Sequence, residues 1–288
     1  MGATDDHISL QEAADELGVH YMTAYRYVRT GRLEAEKAGA VWQVRRVVLE
    51  EFARRQGAEA VAGPRSRPER RAELAHRLED RLTAGDEAGA WAVIEAAMAA
   101  GADPEEIYLD VLVPALRTLG ERWADDELSI AREHQASAVA LRVIGRLGPR
   151  FARRGRKRGT VVLGAPPHDL YTLPAAILAD LLRGRGFQVV ELGANTPAES
   201  FVEAAAGAER LVAVGVSSTL HGNEAAVREV IEALRAADAD VPIVLGGGAW
   251  PDAASAHAIG ANAWAHSGRD AVEVFDGLTR RPVRRGAP

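Results

Sequence analysis

Cysteine is absent from the 288-residue chain. That removes disulfides, thiolate metal sites and cysteine nucleophiles in one step. Long hydrophobic runs are also missing, so no membrane span is expected. The N-terminal segment MGATDDHISLQ is acidic and has no apolar core. No secretory signal is therefore expected there, and the cytoplasm is the expected location. Positive charge is not in excess: the formal net charge is −6. A chain that coats nucleic acid indiscriminately is excluded by that balance. A sequence reader of DNA is not, because DNA affinity depends on the charge of one face.

What is present is ample apolar content. Hydrophobic residues make up 47% of the chain, enough for packed cores, and the length predicts two or three domains.

Residues 8–56 predict a compact winged helix-turn-helix within a first domain at 1–57. Ser9 is a plausible N-cap before LQEAADELG, where Leu10, Ala13, Ala14 and Leu17 recur at helical spacing. Gly18 stops that helix, and a second is expected at about Tyr21–Thr30. LEAEKAGAVWQVRR reads as strand, turn at Ala38-Gly39-Ala40 and returning strand, and VVLEEFARR as a closing helix. The segment resembles the excisionase- and MerR-type winged helices, whose second helix enters the major groove. On that resemblance Tyr21, Thr23, Tyr25, Arg26 and Arg29 would face DNA, with Lys37 and Arg45 on the wing. Arginine suits phosphates and guanine edges, and Thr23 a backbone oxygen. The domain at 1–57 carries nine acids against eight bases, so one copy should bind weakly and dimers or tetramers would be needed.

Residues 58–70, rich in Gly, Ala, Pro and Arg, fit a linker. Four helical patterns then fill 71–149, punctuated by Gly85, Gly101 and Ala124-Asp125-Asp126, with Asp103-Pro104 opening the third. Short connections predict a four-helix bundle. A basic linker, PRFARRGRKRG, spans about 150–159 and reads first as a solubilising connector. From Thr160 to residue 288 the period changes. Short apolar runs (TVVLGA, FQVVELGA, LVAVGVSS, VPIVLGGGAW, ANAWAHSG) alternate with amphipathic helices. That pattern predicts a parallel five-stranded sheet covered on both faces, with ligands at the carboxyl ends of its strands.

The unusual residues cluster at those ends and in the bundle. Trp123 is followed by Glu133-His134, and His168 sits in the loop after the first strand. Ser217-Ser218-Thr219-Leu220 follows the third strand, and Gly246-Gly247-Gly248 the fourth. In this order, behind a helix-turn-helix, they resemble the CarH/LitR family of cobalamin-dependent, light-responsive transcription regulators. The resemblance covers nearly the whole chain. It implies a multidomain α and α/β protein: winged helix-turn-helix, four-helix bundle, and Rossmann-like (flavodoxin-like) sheet.

It also implies roles for particular residues. His168 would be the lower axial ligand to cobalt, with Asp169, Leu170 and Tyr171 beside it. Ser217, Thr219, Gly246, Gly247 and Gly248 would line the nucleotide tail, since only glycine lets the main chain pack against a ligand without a Cβ clash. Trp123, Glu133 and His134 would surround the adenosyl group, although adjacent helical residues diverge by about 100°. Three positions depart from the family pattern. The motif acid is Pro166 and the motif glycine is Tyr171, whose ring would either stack on the displaced base or obstruct the tail. The histidine that follows the tryptophan in some members is Ala124.

The expected cofactor is adenosylcobalamin, with another corrinoid or a bilin as the alternative. The expected partners are an operator in double-stranded DNA and further copies of the chain, forming a light-dependent oligomer, a tetramer on the family's pattern. No catalytic nucleophile–base pair is apparent, so an enzyme is not expected. The competing enzymatic reading is a corrinoid-carrying methyltransferase component.

Overall fold

A computed structural model describes residues 7–29, 32–39, 41–61, 66–237 and 241–279, and the chain divides into two units between Glu69 and Arg70. Residues 1–6 and 280–288, the outer ends of the first and last expected domains, lie outside the described residues. So do Thr30, Ala40 of the expected wing turn, and residues 62–65 of the expected linker.

In the first unit β1 (His7–Ser9) leads directly into α1 (Leu10–Glu16). Ser9 Oγ accepts the Glu12 amide at 3.2 Å, and the Glu12 carboxylate accepts the Ser9 amide at 2.8 Å. This reciprocal cap satisfies two donors that the first helical turn leaves open. Gly18 takes a left-handed φ of +64°, and α2 (Tyr21–Arg29) follows after a short turn. β2 (Glu36–Ala38) and β3 (Val41–Arg45) pair antiparallel as the wing, and β1 adds to the other edge of β3. Leu10, Ala13, Ala14, Ala24, Leu33, Val44 and Leu49 form the core. The closing helix α3 runs Arg46–Val61, past the expected boundary at residue 57. A lone glycine such as Gly57 weakens a helix by about 1 kcal/mol but does not end it.

The second unit begins with four helices. They are α4 (Arg67–Thr83), α5 (Glu87–Ala99), a long third helix, and α8 (Ile130–Leu147). The third consists of α6 (Pro104–Ile107), a π turn (Tyr108–Leu112) and α7 (Val113–Ala124). Asp103 caps its start by accepting the Glu106 amide at 2.8 Å. The π turn has a local cause. Pro114 has no N–H for the carbonyl four residues back, and the Val113 amide reaches the Tyr108 carbonyl five back instead.

A 3₁₀ turn (Gly148–Phe151) leads to the α/β half: β4 (Thr160–Gly164), α9 (Leu173–Gly184), β5 (Gln188–Glu191), α10 (Ala198–Gly207) and β6 (Leu211–Ser217). It continues with α11 (Glu224–Ala237), β7 (Ile243–Gly246), α12 (Ala253–Ala258), β8 (Ala263–Ala265) and α13 (Gly268–Leu278). All neighbouring strands pair in parallel, in the order β5-β4-β6-β7-β8. Counted from β4 this is the flavodoxin-like order. β4 is buried along its whole length, as its uninterrupted TVVLG run requires.

Helices and sheet share one core, in which Leu112, Leu119 and Val143 join Leu163, Leu181 and Phe275. Polar links reinforce the joint. Tyr108 donates its hydroxyl to Asp180 on α9 at 2.8 Å, and Arg185 pairs with Glu105 at 2.7 Å. The four helices are thus fixed to the sheet domain through the first half of their third member.

Candidate functional site

The strand order reverses between β4 and β6, so the loops that leave their carboxyl ends part in opposite directions and open a crevice. A cavity of about 450 Å³ lies there and extends up to the helices. Its floor comes from the sheet and strand ends: Leu163, Gly164, Gly215, Ser217, Thr219 and Gly246-Gly247-Gly248. Tyr171 and α9 form one side, and His266, Ser267 and Gly268 close the far end. The roof is α7 and α8, through Leu116, Arg117, Gly120, Glu133, Ala136 and Ser137.

Seven of the residues expected at a ligand site therefore share one cavity: Glu133, Tyr171, Ser217, Thr219, Gly246, Gly247 and Gly248. The cavity wall does not include Trp123, His134, His168, Asp169 or Leu170. Trp123 is 39% exposed at the end of α7. His134 points outward while its neighbour Glu133 turns in, as their angular separation on a helix demands. Leu170 is 72% exposed beside His168.

His168 occupies the exposed crest of the loop after β4. Its backbone has φ +70°, a left-handed conformation that costs a β-carbon residue about 1–2 kcal/mol. The surroundings hold it there. The His168 amide donates to Asn195 Oδ1 at 2.8 Å, the Asn195 amide donates to the Asp169 carbonyl at 2.8 Å, and Asn223 Nδ2 donates to the Pro167 carbonyl at 2.8 Å. The imidazole itself has no hydrogen-bond partner among the described residues. Proline at 166 leaves it without the carboxylate that would fix its tautomer.

Asp169 is fully buried. Its carboxylate accepts the amides of Tyr171 at 3.1 Å, Thr219 at 2.5 Å and Leu220 at 3.2 Å. All three contacts are internal, so Asp169 acts as a brace between two loops rather than as a ligand group. Tyr171, three residues on, faces the cavity. Burial, followed by the nearby charges of Glu133 and Asp169, pushes its phenol above the usual range, so the ring stays a neutral hydrogen-bond donor. Glu133 is itself held by Ser137, whose hydroxyl donates to it at 2.7 Å.

Two features mark the floor as a place for a polar, close-packed guest. Thr219 Oγ1 is buried with no partner among the described residues, and a buried hydroxyl left so costs stability unless a ligand or water meets it. Gly247 has φ +95°, and a Cβ there would sit 2.2 Å from the Ser218 carbonyl oxygen. Gly248 next to it faces open space, with nothing within 4 Å of a Cβ. Backbone can approach a guest closely on this side.

Sequence reasoning missed Asn195 and Asn223, which hold the His168 loop, and Arg117, Ser137, His266 and Ser267 on the cavity wall. Asparagine just after a strand is a weak signal of a left-handed turn. The cavity-facing side of α7 and α8 depends on how the helices settle on the sheet, which a helical period does not specify. On the face expected to meet DNA, α2 exposes Tyr21, Met22, Arg26 and Arg29, while Thr23 and Tyr25 are half-buried. Lys37 is exposed and Arg45 half-buried on the wing strands.

Comparison with known proteins agrees with this division. Residues 8–57 match a helix-turn-helix domain family, residues 74–147 a B12 binding domain, and residues 159–276 a second family described as a B12 binding domain. A corrinoid protein of Desulfitobacterium hafniense is 30% identical over 171 residues, 57% of this chain and 77% of that protein. Trimethylamine corrinoid protein 1 of Methanosarcina acetivorans is 30% identical over 136 residues, 46% of this chain. The chain spans 63% of that protein's length. The structure of the Methanosarcina barkeri monomethylamine corrinoid protein superposes with a TM-score of 0.62 at 21% identity, over 70% of this chain and 97% of that one. At that identity the likeness is one of fold.

Proposed function

The chain belongs to the corrinoid-protein family, and we propose that it is a light-responsive transcriptional regulator, a repressor, that holds adenosylcobalamin between its four helices and its parallel sheet. One observation carries this reading. A helix-turn-helix domain stands on the same chain as a two-part B12-binding unit, and both parts of that unit wall one cavity. A ligand seated there bears on an interface rather than on a single side chain, which is what a switch requires.

The residues present suit such a ligand. Gly246, Gly247 and Gly248 give backbone access for the nucleotide tail, and Thr219 offers an unsatisfied hydroxyl to it. His168, exposed and with no partner for its imidazole among the described residues, would supply a ring nitrogen to cobalt. Glu133 and Tyr171 would meet the ligand where helices and sheet come together. When bound, adenosylcobalamin supplies a cobalt–carbon bond that light can break.

Weak single DNA-binding heads make operator affinity depend steeply on how many copies assemble, through effective concentration. In the proposed scheme the dark oligomer, a tetramer, occupies the operator and light disperses it. CarH/LitR-type regulators are the model for this reading, on the sequence pattern of Trp123, Glu133 and His134, of which Glu133 alone lines the cavity. No enzymatic activity is part of it.

A second reading has its own support: one of the relatives is a trimethylamine corrinoid protein, which favours a corrinoid-carrying methyltransferase component. A same-architecture sensor of another corrinoid or of a bilin is the variant that Pro166, Tyr171 and Ala124 favour. Loading the protein with adenosylcobalamin, then comparing DNA binding and size-exclusion profiles in the dark and after green light, separates the three. A light-dependent change in both supports the regulator. Corrinoid uptake with no DNA binding in either state supports the methyltransferase component. No corrinoid uptake supports the sensor of a different pigment.

A further inference from the structure

The segment between the helices and β4 does not behave as a loose connector. Residues 150–158 carry six basic side chains and no acid. Both ends are fixed. Phe151 is buried, with its ring centroid 4.8 Å from that of Tyr108. At the other end Arg158 pairs with Asp276, and its guanidinium lies 4.5 Å from the Phe187 ring centroid. Arg210 donates to the Lys157 and Arg158 carbonyls at 2.8 and 2.9 Å, and Lys157 Nζ to the Arg153 carbonyl at 2.7 Å.

Along this segment Arg150, Arg153, Arg154 and Arg156 are exposed, and their side chains have no partner among the described residues. Several arginines elsewhere in the unit are neutralised locally. Arg122 meets Glu79, Arg142 meets Glu87, Arg183 meets Asp180 and Glu191, and Arg185 meets Glu105. Four uncompensated guanidiniums on an ordered strap, in a chain of net charge −6, form a local field of one sign.

We propose that this strap is a second DNA contact, in which Arg150, Arg153, Arg154 and Arg156 bind phosphates of the duplex backbone without reading sequence. The proposal rests on the reading of the chain as a DNA-binding regulator. Guanidinium forks match phosphate geometry, and a polyanion is the partner that relieves their mutual repulsion. Such contacts would add affinity that a helix-turn-helix domain of nearly balanced charge lacks, and their contribution would be strongly salt-dependent.

The test uses the full chain on a duplex of random sequence, with affinity measured by fluorescence anisotropy from 50 to 200 mM salt. Three proteins are compared: wild type, the triple variant Arg153→Gln, Arg154→Gln, Arg156→Gln, and the recognition-helix variant Arg26→Ala, Arg29→Ala. Each lost phosphate contact lowers the log–log salt slope by about 0.9, so the strap variant should lose about 2 to 3 and bind about tenfold or more weakly at 50 mM. Corrinoid uptake by the strap variant should match wild type, which shows that its fold is intact. An unchanged slope in the strap variant, with a reduced slope in the recognition-helix variant, overturns the strap and leaves the helix-turn-helix reading standing. No DNA binding by wild type at 50 mM overturns both. Wild-type binding that only the strap variant loses supports the strap and removes the helix-turn-helix from DNA contact.

Discussion

The buried carboxylate of Asp169, in the loop after β4, accepts the backbone amide of Thr219, in the loop after β6, at 2.5 Å across the point where the strand order reverses. Through that bond, the residue after the expected cobalt ligand positions the orphaned hydroxyl on the cavity floor. The two loops are tied to each other by it.

Asp169→Ala removes an ionised acceptor from three amides at once. We expect urea denaturation to show a loss of about 3 kcal/mol, and corrinoid affinity to fall with it. Asp169→Asn keeps one acceptor oxygen and should lose less than half as much. Equal stability of Asp169→Ala and wild type would mean that the loops are held by other bonds.

Thr219→Val tests the cavity floor in the opposite sense. The exchange removes a buried hydroxyl that has no partner among the described residues, so the ligand-free protein should be as stable as wild type or slightly more so. Corrinoid binding, measured by absorbance titration, should weaken by about 5- to 30-fold, the worth of one hydrogen bond to a buried partner. Undiminished affinity would show that the ligand does not reach Thr219.

The adjacent glycines should separate. Gly247→Ala puts a Cβ 2.2 Å from a backbone oxygen at φ +95°, and should destabilise the fold by more than about 2 kcal/mol. At Gly248 a Cβ meets nothing, so thermal stability should change little. Gly248→Ala should still lower corrinoid affinity if backbone and ligand approach closely there. Identical melting temperatures for the two variants would contradict the assignment.

Much of this is legible in the sequence. The Ser9–Glu12 cap, the Gly18 turn and the uninterrupted TVVLG strand are local signals with local causes. The Gly246–Gly248 floor, Thr219 and Glu133 were also readable, from a resemblance that links residues far apart in the sequence. Other features depend on tertiary placement. β1 is three residues long, too short for strand alternation to declare itself. Gly57 resembles a stop, but the helix passes through it. Asp169 looked like a ligand neighbour because sequence adjacency cannot show that its carboxylate turns inward to backbone amides. Arg117 and His266 enter the site only once α7 and β8 are set against the crevice.

The helix–sheet joint predicts a pH dependence. Burial, then the charge and hydrogen bond of Asp180, raise the Tyr108 phenol far above its ordinary value near 10. The folded state therefore keeps this proton while the unfolded chain releases it. The stabilisation is complete below about pH 10 and is lost as pH rises above it. Tyr108→Phe should cost about 1–2 kcal/mol at pH 7. It should also flatten the decline in stability between about pH 10 and 12, since phenylalanine has no proton to lose. Parallel stability curves for the two proteins over that range would refute the coupling.

The central claim is that a corrinoid seated in the cavity between helices and sheet governs DNA binding. The most direct measurement is anisotropy of a labelled duplex, selected from a random pool by the adenosylcobalamin-loaded protein in the dark, followed while the sample is illuminated with green light. The account predicts a retained corrinoid spectrum, tight binding in the dark, and a fall in anisotropy that tracks the spectral change. That fall should be absent from protein carrying methylcobalamin in the dark throughout. A duplex bound equally before and after photolysis, with the spectrum fully converted, would contradict it.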